Sequence, residues 1–166
     1  MAEKEEIIKE KMEHEGLFDL KAMYVFAHNW YIEPGFGVTE EEYIEKLKGD
    51  ARDLVIKWKA TKDVSDYFKF ETKMKYEIEN MTDVEVEIDG KRKQMNKGKI
   101  KLEIVGALVY DKDGKWESSA YNRFMRDVYN KYIIPSRVEA MKQEVRRRVT
   151  TFKDDLKSFL NLTARR

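Results

Sequence analysis

From Leu54 to Tyr110 apolar and charged residues alternate in runs separated by Gly and Asp turns. Leu54, Ile56, Trp58 and Ala60 fall on one face, with Lys57 and Lys59 on the other. After a turn over residues 62–66, Phe68, Phe70, Thr72, Met74, Tyr76 and Ile78 share that inward face. Lys69, Glu71, Lys73, Lys75, Glu77 and Glu79 take the opposite one. A period of two is that of an antiparallel sheet with one buried face. A slip of one residue would bury a row of charges, so the register is well specified. Val84, Val86 and Ile88 continue the pattern to Asp89-Gly90, a two-residue hairpin signal. A short arm from Lys91 to Met95 and a second turn at Asn96-Lys97-Gly98 then lead to a last strand with Ile100, Leu102 and Ile104 inward. Around Gly106 both faces become apolar, which predicts a bend and a covered second face, with the segment from Phe18 as the cover.

The flanks read as helical. Residues 1–16 are rich in Glu and Lys, with Ile7, Ile8 and Met12 as a thin apolar stripe, and are expected to form a loosely docked surface helix. Phe18 to Ile32 is dense in apolar residues and too long for an ordinary strand, so a buried helix ending before the Pro34-Gly35 turn is predicted. Thr39 to Lys48 fits either a capped helix or a strand leading to Gly49-Asp50; strand is the preferred reading. After Asp113-Gly114, a helix capped by Ser118 or Ser119 carries Tyr121, Phe124, Met125, Val128, Tyr129 and Tyr132 as one stripe. Pro135 predicts a kink or break. Beyond it Val138, Met141, Val145, Val149, Phe152, Leu156 and Phe159 recur near a heptad, a stripe that either completes the core or forms a homodimer.

These elements define a single α+β domain over residues 1–166. Its expected architecture is N-terminal helices, a curved antiparallel meander sheet and a long kinked C-terminal helix packed on one sheet face, in a helix-grip-like arrangement. Among the 166 residues, 42% are hydrophobic and 39% charged, which suits a folded core under a heavily charged exterior. The net charge of +1 hides an acidic start, net −7 over residues 1–50, and a basic remainder, net +8. With no cysteine, disulfides, thiolate metal sites and thiol nucleophiles are excluded. The acidic N-terminus does not fit a signal peptide, no apolar run approaches the roughly 20 residues of a membrane span, and a cytoplasmic location is expected. The sequons at Asn80 and Asn161 then read as chance.

Chemistry is thinly signalled. His14 and His28 are the only imidazoles, and neither has a partner at an informative spacing. Glu85, Glu87 and Asp89 share a strand face that reads as solvated, with Lys99 and Lys101 positioned to pair with them. Asp111 to Gly114 lacks the Gly and Glu positions of a calcium loop, and Gly35-Phe36-Gly37 lacks the third Gly of a dinucleotide fingerprint, leaving a loop with Phe36 exposed. No catalytic residue, metal site or cofactor is assigned. Lys91, Arg92, Lys93, Lys97, Lys99 and Lys101, with Arg146, Arg147 and Arg148, form basic runs that could grip phosphates, although no aromatic residue lies among them for stacking. The inward row of Trp58, Phe68, Phe70, Thr72, Met74, Tyr76 and Tyr110 is the candidate lining of a small hydrophobic ligand site between sheet and C-terminal helix, or else a packed core.

The stretches DLVIKWKATKDVSDYFKF (53–70), VEVEIDGKRKQMNKGKIKLEI (84–104) and YNKYIIPSR (129–137) resemble a group of small uncharacterised archaeal proteins. That resemblance implies the α+β arrangement, an archaeal cytoplasm and a strand at Tyr43 to Lys48, and it implies no activity. By general shape the chain is also similar to helix-grip lipid-binding domains. The expected function is a non-catalytic binding or protein-interaction module. An RNA- or ribosome-associated basic module is the alternative, and an enzyme of small hydrophobic substrates using Tyr76 or Tyr110 as acid is a third.

Overall fold

The computed structural model describes residues 3–65, 67–110, 120–128 and 135–164. Five strands form one antiparallel sheet: β1 (Glu3–Phe18), β2 (Gly37–Lys48), β3 (Ala51–Asp63), β4 (Phe68–Ile88) and β5 (Lys91–Tyr110). Their spatial order is β1-β5-β4-β3-β2, a meander of four strands with the first strand inserted beside the last. Among the described residues three helices accompany them: α1 (Leu20–Ile32), α2 (Ala120–Val128) and α3 (Pro135–Ala164). Tight turns at Gly49, φ 62°, and at Asp89 and Gly90, φ 53° and 77°, connect the hairpins. Two successive left-handed residues are what a two-residue hairpin loop of matching twist requires.

The α+β class, the antiparallel sheet and the long C-terminal helix packed on one face follow the sequence reading. The N-terminus does not. Residues 3–18 are an edge strand paired with β5 along nearly its whole length, from Glu3 opposite Tyr110 to Phe18 opposite Asn96. A bulge at Ile7 resets the period, after which Ile8, Glu10, Met12, His14 and Phe18 face the helices. The two polar members disguise this alternation, and each is satisfied. Glu10 binds Lys153 of α3 at 3.1 Å, and His14, 8% exposed, meets the Leu17 carbonyl through Nε2 at 2.9 Å. Pairing and burial therefore override the helical propensity of the Glu and Lys residues.

The expected turn at Asn96-Lys97-Gly98 is also absent, because β5 runs through it. Its partner carries the irregularity instead. β4 gains a residue between Glu79 and Thr82, with Asn80 at φ 53° and its N–H donated to Asp53 at 2.9 Å. Gly98 lies against that bulge so closely that a Cβ would stand 2.9 Å from the Glu79 carbonyl oxygen. One extra residue exchanges the faces beyond it. Val84, Val86 and Ile88 consequently lie outside the buried cluster, opposite Met95, Lys93 and Lys91.

Helices cover one sheet face. Asp19 caps α1 by accepting from the Ala22 N–H at 3.1 Å, and α1 buries Met23, Ala27 and Tyr31. Pro135 is the first residue of α3, where its missing N–H costs no hydrogen bond. Met141, Val145, Val149, Phe152, Leu156 and Leu160 of α3 are all buried, and the helix packs over β1 and β5. Gly106 is where α3 crosses the sheet, so its role is close approach of helix and strand rather than cover by α1. The expected kink or break before Pro135, with Tyr129 and Tyr132, falls on residues 129–134, outside the described residues. No helix among the described residues is long and apolar enough to cross a membrane.

Candidate interaction surface

The inward aromatic row is packed. Trp58, Phe68, Phe70, Thr72, Met74 and Tyr76 are each at most 8% exposed. The Trp58 ring meets Tyr76 at 5.2 Å, Tyr24 at 4.8 Å and His28 at 5.9 Å. On the α3 side Tyr31 of α1 fills the space, in contact with Phe152 at 4.9 Å and Phe36 at 5.4 Å. The expected ligand space between sheet and C-terminal helix is thus occupied by α1. Phe36, expected in an exposed loop, is 3% exposed and lies under the Arg148 guanidinium at 5.4 Å.

Tyr110, the rim of the row, donates to Glu5 Oε2 at 2.6 Å, and Lys142 binds the same carboxylate at 3.0 Å. With Glu3, Lys4, Val138 and Glu139 they line an opening of about 500 Å³. The Tyr110 hydroxyl is held above its ordinary range by burial and by Glu5, while Glu5 is held low by the Tyr110 and Lys142 hydrogen bonds. Both shifts lead away from neutrality, the reverse of what an acid–base pair needs. Tyr76 is likewise pushed up by burial, and its hydroxyl donates to the Met74 sulfur at 3.6 Å. Neither tyrosine named for the enzyme reading is poised for proton transfer. Among the described residues no three His, Asp or Glu side chains are grouped to hold a metal ion.

The basic runs do not converge. Lys91, Arg92 and Lys93 are at the β4–β5 hairpin tip, whereas Arg146, Arg147 and Arg148 lie on α3 beside Val145 and Val149, which pack on Gly106. Along β5, Lys91 to Gly106 spans roughly 50 Å and Lys99 to Gly106 more than about 20 Å. Acids also neutralise them: Arg92 pairs with Glu85 at 3.8 Å, Lys93 with Asp19 at 3.4 Å, and Lys99 with Glu13 at 3.9 Å. Lys101 pairs with Glu79 at 3.2 Å, and Arg147 and Arg148 both bind Glu144. Lys97 is exposed on the same strand. Glu85, Glu87 and Asp89 are solvent-facing as expected, but Lys99 and Lys101 pair elsewhere.

Of the homodimer stripe, Met141, Val145, Val149, Phe152 and Leu156 belong to the core, and Val138 packs at its edge. That face is spent on the sheet. The opposite sheet face holds a buried acid. Glu71, 4% exposed, is bound by Lys4 of β1 and by Lys59 of β3 at 3.2 Å. Burial raises its pKa, but the two lysines outweigh it, and the carboxyl lies below its ordinary 4.5. A depressed carboxylate stabilises the fold above its unfolded pKa, and that contribution is lost as pH falls through the folded value. Glu71→Gln should therefore lower stability at neutral pH by about 1–3 kcal/mol and flatten its decline below pH 4.5, as read by urea melts across pH.

The β2 edge is open. Tyr43, Ile44 and Leu47 of β2 are 50%, 40% and 76% exposed, and Val25 of α1 is 49% exposed. Leu20, Tyr24, Val25, Tyr43 and Ile56 line a mainly apolar groove of about 410 Å³ between α1 and β2, with Lys21 and Glu40 as its charged members. Glu40 fixes one wall, accepting from the Tyr24 hydroxyl at 2.9 Å and from Trp58 Nε1 at 3.3 Å. Burial and Glu40 push the Tyr24 hydroxyl upward, so it remains a donor. These residues are absent from the candidates read in sequence. The available signal is that Tyr43 and Ile44 are adjacent, so that an alternating strand puts an apolar side chain on each face. No protein-family model, curated protein or solved structure matches this chain.

Proposed function

We propose that the chain is a non-catalytic protein-interaction module working through edge strand β2 and the groove beside α1. The observation that carries this reading is the exposure of Tyr43, Ile44 and Leu47 on a strand whose second edge has no partner among the described residues. An unpaired strand edge offers a ladder of backbone donors and acceptors, and exposed apolar side chains beside it offer area to bury. The other edge, β1, has no large hydrophobic residue among the exposed ones.

A neutral apolar fluorophore, N-phenyl-1-naphthylamine, tests the groove. It is expected to bind the native protein, with affinity falling roughly ten-fold in Val25→Glu, which places a charge on the apolar wall. Val25 is half exposed, so the variant keeps its fold, as circular dichroism will show. Absence of binding, or equal binding by Val25→Glu and Tyr43→Glu, would remove the groove from the proposal.

A further inference from the structure

We infer that the occupant of the β2 edge is a second copy of this chain, joined antiparallel across a two-fold axis at Ile44 so that two five-stranded sheets become one. This rests on the interaction reading above and names the partner. The basis is the order of charge along the strand. Glu40, Glu41 and Glu42 precede the centre of β2, and Lys46 and Lys48 follow it with one acid, Glu45, which this pairing sets opposite Tyr43. An antiparallel copy lays the acidic half of one strand on the basic half of the other, whereas a parallel copy lays acids on acids.

The register follows from the faces. Thr39, Glu42, Ile44 and Lys46 lie opposite Lys59, Lys57, Val55 and Asp53 of β3, on the sheet face away from α1. A two-fold axis normal to the sheet must join like faces, so it passes through a residue and its own copy. Centred on Glu42, Glu45 or Lys46 it sets identical charges against each other, and centred on Tyr43 it leaves only Glu42 to Ile44 to pair on the regular side of the Glu41 shift. Centred on Ile44 it pairs Glu42 with Lys46 of the copy twice, by symmetry, and sets Ile44 on Ile44. Directly opposed unlike charges stabilise a strand pair and like charges oppose it. On the α1 side, Tyr43 is then diagonal to Leu47 of the copy, within reach of an aromatic ring. The register shift at Glu41 ends the regular ladder and, by the two-fold symmetry, does so at both ends, confining the joined segment to Glu42–Lys46.

Lysines and bulges on an edge strand also serve to repel chance pairing. A guarded edge of that kind has no need of three exposed apolar side chains in five residues, and of the face-matched registers considered only the one centred on Ile44 sets unlike charges directly opposite each other in the regular ladder.

Charge exchange tests the pairing. Glu42 also binds Lys57 at 3.1 Å, an exposed pair of small worth, so changing it spares the fold. In sedimentation velocity over a concentration series, the native chain is expected to dimerise, and Glu42→Lys and Lys46→Glu alone to weaken dimerisation roughly ten-fold or more. An equimolar mixture of the two variants should restore association, since every opposed pair is again unlike, and the double variant should regain the homodimer. A native chain that is monomeric throughout, a dimer indifferent to both substitutions, or a mixture that fails to associate would each overturn the proposal. Tyr43 borders both the groove and the joined strands, so the fluorophore is titrated at protein concentrations where sedimentation shows a monomer. Bound probe with no dimer rejects the second copy and keeps the interaction surface, and failure of both rejects the surface itself.

Discussion

Gly106→Val is expected to destabilise the protein by about 3 kcal/mol or more, although strand propensity alone predicts the opposite sign. Glycine inside a strand is locally unfavourable, and valine is among the best strand formers. The cost arises from the helix above. A Cβ at position 106 would stand 2.7 Å from Val149 Cγ2, 2.8 Å from Val145 Cγ1 and 3.2 Å from Ile8 Cγ2. Val149 and Val145 are 0% and 4% exposed, and a β-branched side chain in a helix has essentially one rotamer, so neither can turn aside. Relief requires α3 to lift from β1 and β5, loosening Phe152 and Leu156 with it. For a chain of this size the loss corresponds to a fall in Tm of roughly 6–12 °C. Val149→Ala opens room where the clash is closest, so the double variant should recover part of the loss, with a coupling of about 1 kcal/mol or more. A Gly106→Val protein as stable as the native one would contradict the helix–sheet approach described.

Gly106 also illustrates what the sequence makes legible. Apolar residues on both sides of it mark a crowded place, but the identity of the covering element depends on contacts distant in the chain. The β2–β5 meander is legible because each of its turns and its period of two are local properties. Two irregularities are not. The bulge at Asn80 moves Val84, Val86 and Ile88 out of the core without breaking their alternation; its trace is that apolar positions shift from Ile78 to Met81 and then to Val84. The β1 strand is hidden because Glu10 and His14, on its inner face, find partners in Lys153 and the Leu17 carbonyl.

The same long-range choice decides the candidate surface. Tyr43, Ile44 and Leu47 are plain in the sequence, but they form an edge only because residues 3–18 pair with β5 and leave β2 at the end of the sheet. Had the first strand paired beside β2, these side chains would be interior and the other end of the meander would be open. Strand order is set by which edges close with the best burial, and Met12 and Phe18, 5% and 0% exposed, reach that burial only beside β5, under α3.

Trp58→Ala distinguishes a packed core from a ligand-lined space in the aromatic row. The Trp58 side chain is 1% exposed, touches the rings of Tyr24, His28 and Tyr76, and gives its Nε1–H to Glu40. In a packed core its removal leaves a void that rigid neighbours cannot close, at a cost of about 3–5 kcal/mol. The fall in Tm is then roughly 6–20 °C. In a space kept open for a ligand, the indole would have fewer partners to lose, and truncation would enlarge the site at a cost of about 1 kcal/mol. Trp58→Phe separates the two contributions of the side chain. It keeps most of the ring contacts and removes the hydrogen bond to Glu40, so it should cost about 1–2 kcal/mol. It should also loosen the Glu40 wall of the groove beside α1, lowering fluorophore affinity by more than its stability loss explains. Equal and small losses for both variants would restore the ligand reading of the row. A large loss for Ala and a small one for Phe fixes the row as core.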